Sequence, residues 1–124
     1  MLDSAPAVAE AFEAAIAERD LQAALDLWLE DAVFIPPGAA PLHGRDAIRG
    51  VLAGLIDGGA TLSSETVGVY VAGGVALRAV RLRLTGHDPD GEPFETVTDG
   101  VTVYALTEAG WRIAIDAPAG LKNS

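Results

Sequence analysis

The chain has 124 residues, half of them hydrophobic, with 18 acids against 8 bases for a formal net charge of -10, two histidines and no cysteine. That length fits one domain over residues 1–124 with a real core, and the charge repels phosphate backbones, which argues against nucleic acid as a partner. No apolar run approaches the roughly 20 residues of a membrane span, so no membrane is expected either. Disulfides and thiolate chemistry are excluded, and two histidines cannot build a histidine-rich metal site, so neither metal nor cofactor is expected. The first residues, MLDSAPAVAE, lack the basic start and apolar stretch of a secretory leader, which makes the cytoplasm the expected location.

Ser4 can cap a first helix on which Val8, Phe12, Ala15, Ile16 and Arg19 recur at three- and four-residue spacing. Asp20 caps a second, whose stripe of Leu21, Ala24, Leu25, Trp28 and Leu29 turns Trp28 inward. Val33 to Ile35 read as a short buried strand, stopped by Pro36-Pro37-Gly38 because consecutive prolines offer a ladder no amide donors. A third helix follows Gly44, with Asp46 in its first turn, Ile48, Val51, Leu52, Leu55 and Ile56 on its apolar face, and Gly58-Gly59 at its end. Gly50 and Gly54 inside it predict close approach by a neighbouring backbone.

From Thr61 the hydrophobic period becomes two. Thr61 to Val71, Val75 to Thr85, Phe94 to Thr107 and Trp111 to Asp116 read as four strands joined by tight turns, hence an antiparallel meander. Three helices followed by a meander predict an α+β fold, with the helices packed on one face of a curved antiparallel sheet. Leu121 to Ser124 read as a loose end.

The run LWLEDAVFIPPG, then PLHGRDAI and a closing GWRIAIDAP, resembles the nuclear transport factor 2-like superfamily, and within it the SnoaL-like and ketosteroid isomerase-like proteins. The resemblance covers nearly the whole chain. It implies a cone-shaped, cystatin-like fold around a deep apolar pocket, with pairing through the outer face of the sheet. It does not carry the isomerase residues across: the position of the carboxylate base falls on Pro36, that of the oxyanion tyrosine on Phe12, and that of the protonated acid near Thr102.

Strand alternation on that frame points Ser64, Thr66, Gly68 and Tyr70 inward from the first long strand, Ala76, Arg78, Val80, Leu82 and Leu84 from the second, and Thr98, Gly100, Thr102 and Tyr104 from the third. Trp111, Ile113 and Ile115 complete the wall. A single bulge would exchange the faces downstream of it. Arg78 is then a buried cation, either anchoring a ligand carboxylate or enolate or pairing with a protein acid. Phe12, Trp28, Tyr70 and Thr102 are candidate ligand contacts beside a core role, and Tyr104 joins Arg78 as a candidate catalytic group. Asp99 and Asp116 read as ion pairs with Arg81, Arg83 and Arg112 on an outer face that a second copy covers, or, with parity reversed, as the acid–base carboxylate. His43, before the third helix, is a candidate proton shuttle or a turn-capping residue, and the Asp88-Pro89-Asp90-Gly91 stretch reads as a hairpin turn.

Two functional expectations follow. One is a homodimer that binds a small apolar, carbonyl-bearing molecule and isomerises, cyclises or hydrolyses it without the ketosteroid isomerase base. The other is a non-catalytic dimerisation or protein-binding module of the same fold.

Overall fold

Ser4 is extended, and its hydroxyl accepts from the Ala7 N–H to start α1, Ala5–Ala17. This is a computed structural model of the chain, and it describes residues 2–121; beyond Leu121, the expected loose end lies outside the described residues. Asp20 accepts from the Ala23 N–H at 3.0 Å and caps α2, Leu21–Leu25. The predicted stripe out to Leu29 is not helical: Trp28 opens a strand, β1, Trp28–Phe34. The carbonyls a longer helix would use are taken from outside, Leu27 C=O by the Ile113 N–H at 2.7 Å and Trp28 C=O by the Arg45 guanidinium at 3.0 and 2.5 Å. Trp28 is nonetheless inward, at 1% exposure.

After the proline loop, β2 (Leu42–His43) returns antiparallel to β1, with Val33 opposite His43. Gly44 donates its N–H to Ala32 C=O at φ 89°, a backbone setting that favours glycine, and α3 (Arg45–Asp57) follows. Ile48 and Leu52 anchor α3 in the core. Gly50 and Gly54 do not meet a neighbouring backbone, because a Cβ at either would stand in open space.

The meander forms as expected: β3 (Thr61–Ala72), β4 (Val75–His87), β5 (Pro93–Thr107) and β6 (Gly110–Ala117). The Asp88 carboxylate closes the β4–β5 turn by accepting from the Asp90 and Glu92 N–H groups, both at 2.9 Å. The sheet order is β2-β1-β6-β5-β4-β3. It is mixed rather than purely antiparallel, because β1 runs parallel to β6. Helices α1 and α3 pack on one face, and Val8, Ile16, Trp28, Ile48, Leu52 and Tyr104 are the largest buried side chains between the layers. Each contributes about 1.5 to 3 kcal/mol by leaving water.

Two bulges decide which side chains face the helices. In β3 the register slips between Thr66 and Gly68, so Tyr70 lies opposite Leu77 and Val69 opposite Arg78. In β6 it slips opposite Val103 and Tyr104, so Ile113 pairs with Tyr104 but Ile115 with Val103 and Asp116 with Thr102. No helix among the described residues is long and apolar enough to cross a membrane.

Candidate functional site

Between α1, α3 and the helix-covered face of the sheet lies a cavity of about 210 Å³. Its apolar wall is built by Phe12 from α1, Val51 and Leu55 from α3, Val80 and Leu82 from β4, and Trp28 from β1. Phe12 and Phe34 meet the Trp28 ring edge-on, at centroid distances of 5.8 and 6.4 Å, which fixes its orientation. The Trp28 indole N–H is buried with no hydrogen-bond partner among the described residues.

Two polar groups interrupt this wall. Arg78, 6% exposed, donates from Nε to Thr66 Oγ1 at 2.8 Å and from Nη2 to Ser64 Oγ at 2.9 Å. Ser64 in turn donates its hydroxyl to Glu13 Oε2 on α1. Across the sheet, Thr102 Oγ1 donates to Asp116 Oδ1 at 3.0 Å. Tyr104, 1% exposed, stands between the two, and burial raises the pKa of its hydroxyl against the pull of the adjacent Arg78 cation.

Asp116 is the chemically distinctive group. Burial lifts its carboxyl from the ordinary 3.8 to about 6, outweighing the Thr102 hydrogen bond and the Arg78 charge, which both favour the anion. As a residue it is only partly buried; the area it keeps agrees with its place in the cavity wall, while the carboxyl group is enclosed by protein. A carboxyl that exchanges its proton near pH 6 beside a hydroxyl and a guanidinium can serve as general acid or base.

The candidate residues from the sequence divide accordingly. Phe12, Trp28, Arg78, Thr102, Tyr104 and Asp116 all line the cavity. Tyr70 does not: the β3 bulge turns it out, 69% exposed, with its ring lying over Gly68. Ile115 is likewise turned out, at 39% exposure, by the β6 bulge. The same slip overturns the reading of Asp116 as an outer-face ion pair. Asp99 keeps that role alone, 3.2 Å from Arg81 and exposed, so it is not a cavity carboxylate; Arg83 pairs with Glu95 instead, at 2.5 Å. His43 is exposed on β2 and is not part of the cavity lining.

Glu13 is the cavity-lining acid that pattern reading passes over. Its signal is present: with Ala9, Phe12 and Ile16 it falls at three- and four-residue spacing, an acid on the buried stripe of α1. The His43-Gly44-Arg45 motif acts on structure, since β2, the Gly44 turn and the Arg45 grip on Trp28 C=O together hold the wall residue Trp28 in place.

The family model of the SnoaL-like domain matches residues 8–114. No curated protein matches the sequence. Among solved structures, one described as a calcium/calmodulin-dependent protein kinase type II association domain from Thiobacillus denitrificans superposes with a TM-score of 0.78 at 24% identity, over 99% of this chain and 98% of that one. A ketosteroid isomerase-like protein from Erwinia carotovora atroseptica gives 0.75 at 18% identity, over 90% and 88%. The epoxide hydrolase/cyclase-like enzyme SalBIII, of pyran ring formation in salinomycin, gives 0.62 at 21% identity, over 88% and 84%. These likenesses establish a shared fold.

Proposed function

The chain belongs to the SnoaL-like family, and from that premise we propose that its cavity binds a small, largely apolar, oxygen-bearing molecule on which Asp116 performs acid–base chemistry. The observation that carries this reading is the Asp116 carboxyl itself, raised to about 6 inside an apolar wall and set beside Thr102, Tyr104 and Arg78. Burying an acid without a direct counter-ion opposes stability, and such an arrangement is characteristic of sites that move protons.

The reaction classes in keeping with this site are isomerisation, cyclisation and hydrolysis. Above pH 6 Asp116 takes a proton from carbon or from water, and below it donates one to a carbonyl, ether or epoxide oxygen. Tyr104 and the remaining Arg78 donors are placed to stabilise negative charge that develops on the substrate oxygen, where a fixed donor contributes about 3 kcal/mol. The ketosteroid isomerase route, with its base just after β1, is not available, since Pro36 occupies that position; the acid here comes from β6. A volume of about 210 Å³ is below the roughly 300 Å³ at which drug-sized pockets begin, which favours a small molecule.

The same reading makes the protein a homodimer. The outer sheet face exposes Tyr70 (69%), Val97 (57%), Ile115 (39%) and Leu77 (37%) among the mixed-sign pairs Arg81–Asp99 and Arg83–Glu95. An apolar face with both signs of charge suits pairing of two copies about a two-fold axis.

Turnover of cyclohex-3-enone and of cyclohexene oxide tests the catalytic reading. Wild-type protein converts at least one of them with a rate that changes through pH 6, and Asp116→Asn loses about 100-fold or more. Equal turnover by Asp116→Asn removes the residue from the chemistry.

A further inference from the structure

Arg78 on β4 and Glu13 on α1 both reach the cavity, and the Ser64 hydroxyl connects them, accepting from the guanidinium and donating to the carboxylate. A guanidinium that is 6% exposed requires a counter-charge. Among the described residues, the only other titratable groups lining the cavity are Tyr104 on β5 and Asp116 on β6, while α3 presents Val51, Leu52 and Leu55. Asp116 feels the Arg78 charge but is hydrogen-bonded to Thr102, with no hydrogen bond leading to the guanidinium among the described residues. Glu13 is the acid joined to Arg78 by a hydrogen-bonded path, through Ser64, and the formal charges of the pair cancel.

We infer that Glu13 sets the charge selectivity of the cavity: as counter-ion of Arg78 through Ser64, it makes the site one for neutral oxygen-bearing molecules and closes it to organic anions. An anion entering here would add uncompensated charge to a low-dielectric space that already holds its own ion pair. A ketone, ether or epoxide oxygen instead adds no charge and can take a hydrogen bond from the neutral Tyr104 hydroxyl, a residue of the same lining. Arg78 is thus a polarising donor held by its own acid rather than a free anchor for a ligand carboxylate. This deepens the proposed function and rests on the cavity being a ligand site.

Octan-2-one and octane-1-sulfonate, a neutral and an anionic probe with the same number of carbons, separate the cases by calorimetric titration at about pH 5, where Asp116 is mostly protonated. Wild-type protein binds the ketone in preference to the sulfonate. Glu13→Gln keeps an oxygen to accept from Ser64 but removes the charge, and it raises sulfonate affinity relative to the ketone roughly tenfold or more. Glu10→Gln, an exposed acid on the same helix, leaves the ratio unchanged. Wild-type preference for the sulfonate, or a ratio unaltered in Glu13→Gln, overturns the inference. Should neither probe bind, carbon-13 titration of Asp116 decides: released from Glu13, Arg78 lowers the Asp116 pKa in Glu13→Gln, and an unmoved pKa overturns the proposal. Loss of all enone and epoxide turnover with this binding pattern intact would count against the catalytic reading alone.

Discussion

Asp116 connects a packing feature to a chemical one. Its folded pKa, about 6, lies above the unfolded value of 3.8, so the native state holds the proton more tightly than the unfolded chain. Stability is therefore highest below the unfolded value and falls as pH rises through the interval up to about 6; above it the buried anion costs about 2 to 3 kcal/mol. Asp116→Asn should abolish that fall and be up to about 2 kcal/mol more stable than wild type at pH 8, as urea denaturation across pH 4 to 8 would show. A wild-type stability that is flat or rising between pH 4 and 6, with no difference from the variant, would contradict the enclosure of this carboxyl. Alternation, with the family resemblance choosing the face, found Arg78, Thr102 and Tyr104, since no register shift intervenes between β4 and β5. Unbroken alternation puts Asp116 outside, and only the reversed-parity alternative brings it in, because one extra residue in β6 reverses the face.

The elements show where pattern and packing part company. Caps and period placed α1, α3 and the four long strands close to their observed ends, because Ser4, Asp20 and Gly44 act locally. The early end of α2 was not legible, since it depends on Arg45 and Ile113 reaching Leu27 and Trp28 from far along the chain. The bulges were equally hidden, as they are set by the partner strand. Gly50 and Gly54 in α3 are exposed with free space at the Cβ position, so Gly50→Ala and Gly54→Ala should each stabilise by up to about 1 kcal/mol, readable as a raised denaturation midpoint. Gly100 is the opposite case: a Cβ there would stand 2.5 Å from Pro118 O, in the segment that Thr98 Oγ1 holds at 2.6 Å. Gly100→Ala should displace the Pro118–Ala119 edge of the cavity and destabilise the protein by about 1 to 3 kcal/mol.

At the scale of the molecule, one face of the sheet lines the cavity and the other exposes apolar side chains among charged pairs. If a second copy covers that surface, Leu77→Lys with Val97→Lys should convert a dimer to a monomer by light scattering, with enone or epoxide turnover per chain retained; wild-type protein already monomeric at micromolar concentration would contradict it. The interior account depends on the β6 register, which alone carries Asp116 to the helix side. Carbon-13 titration of the Asp116 carboxyl in the wild-type protein reads this directly. The account predicts a midpoint of about 6, and a midpoint near 4, the value of a solvated aspartate, would place the residue in water and contradict both the register and the chemistry built on it.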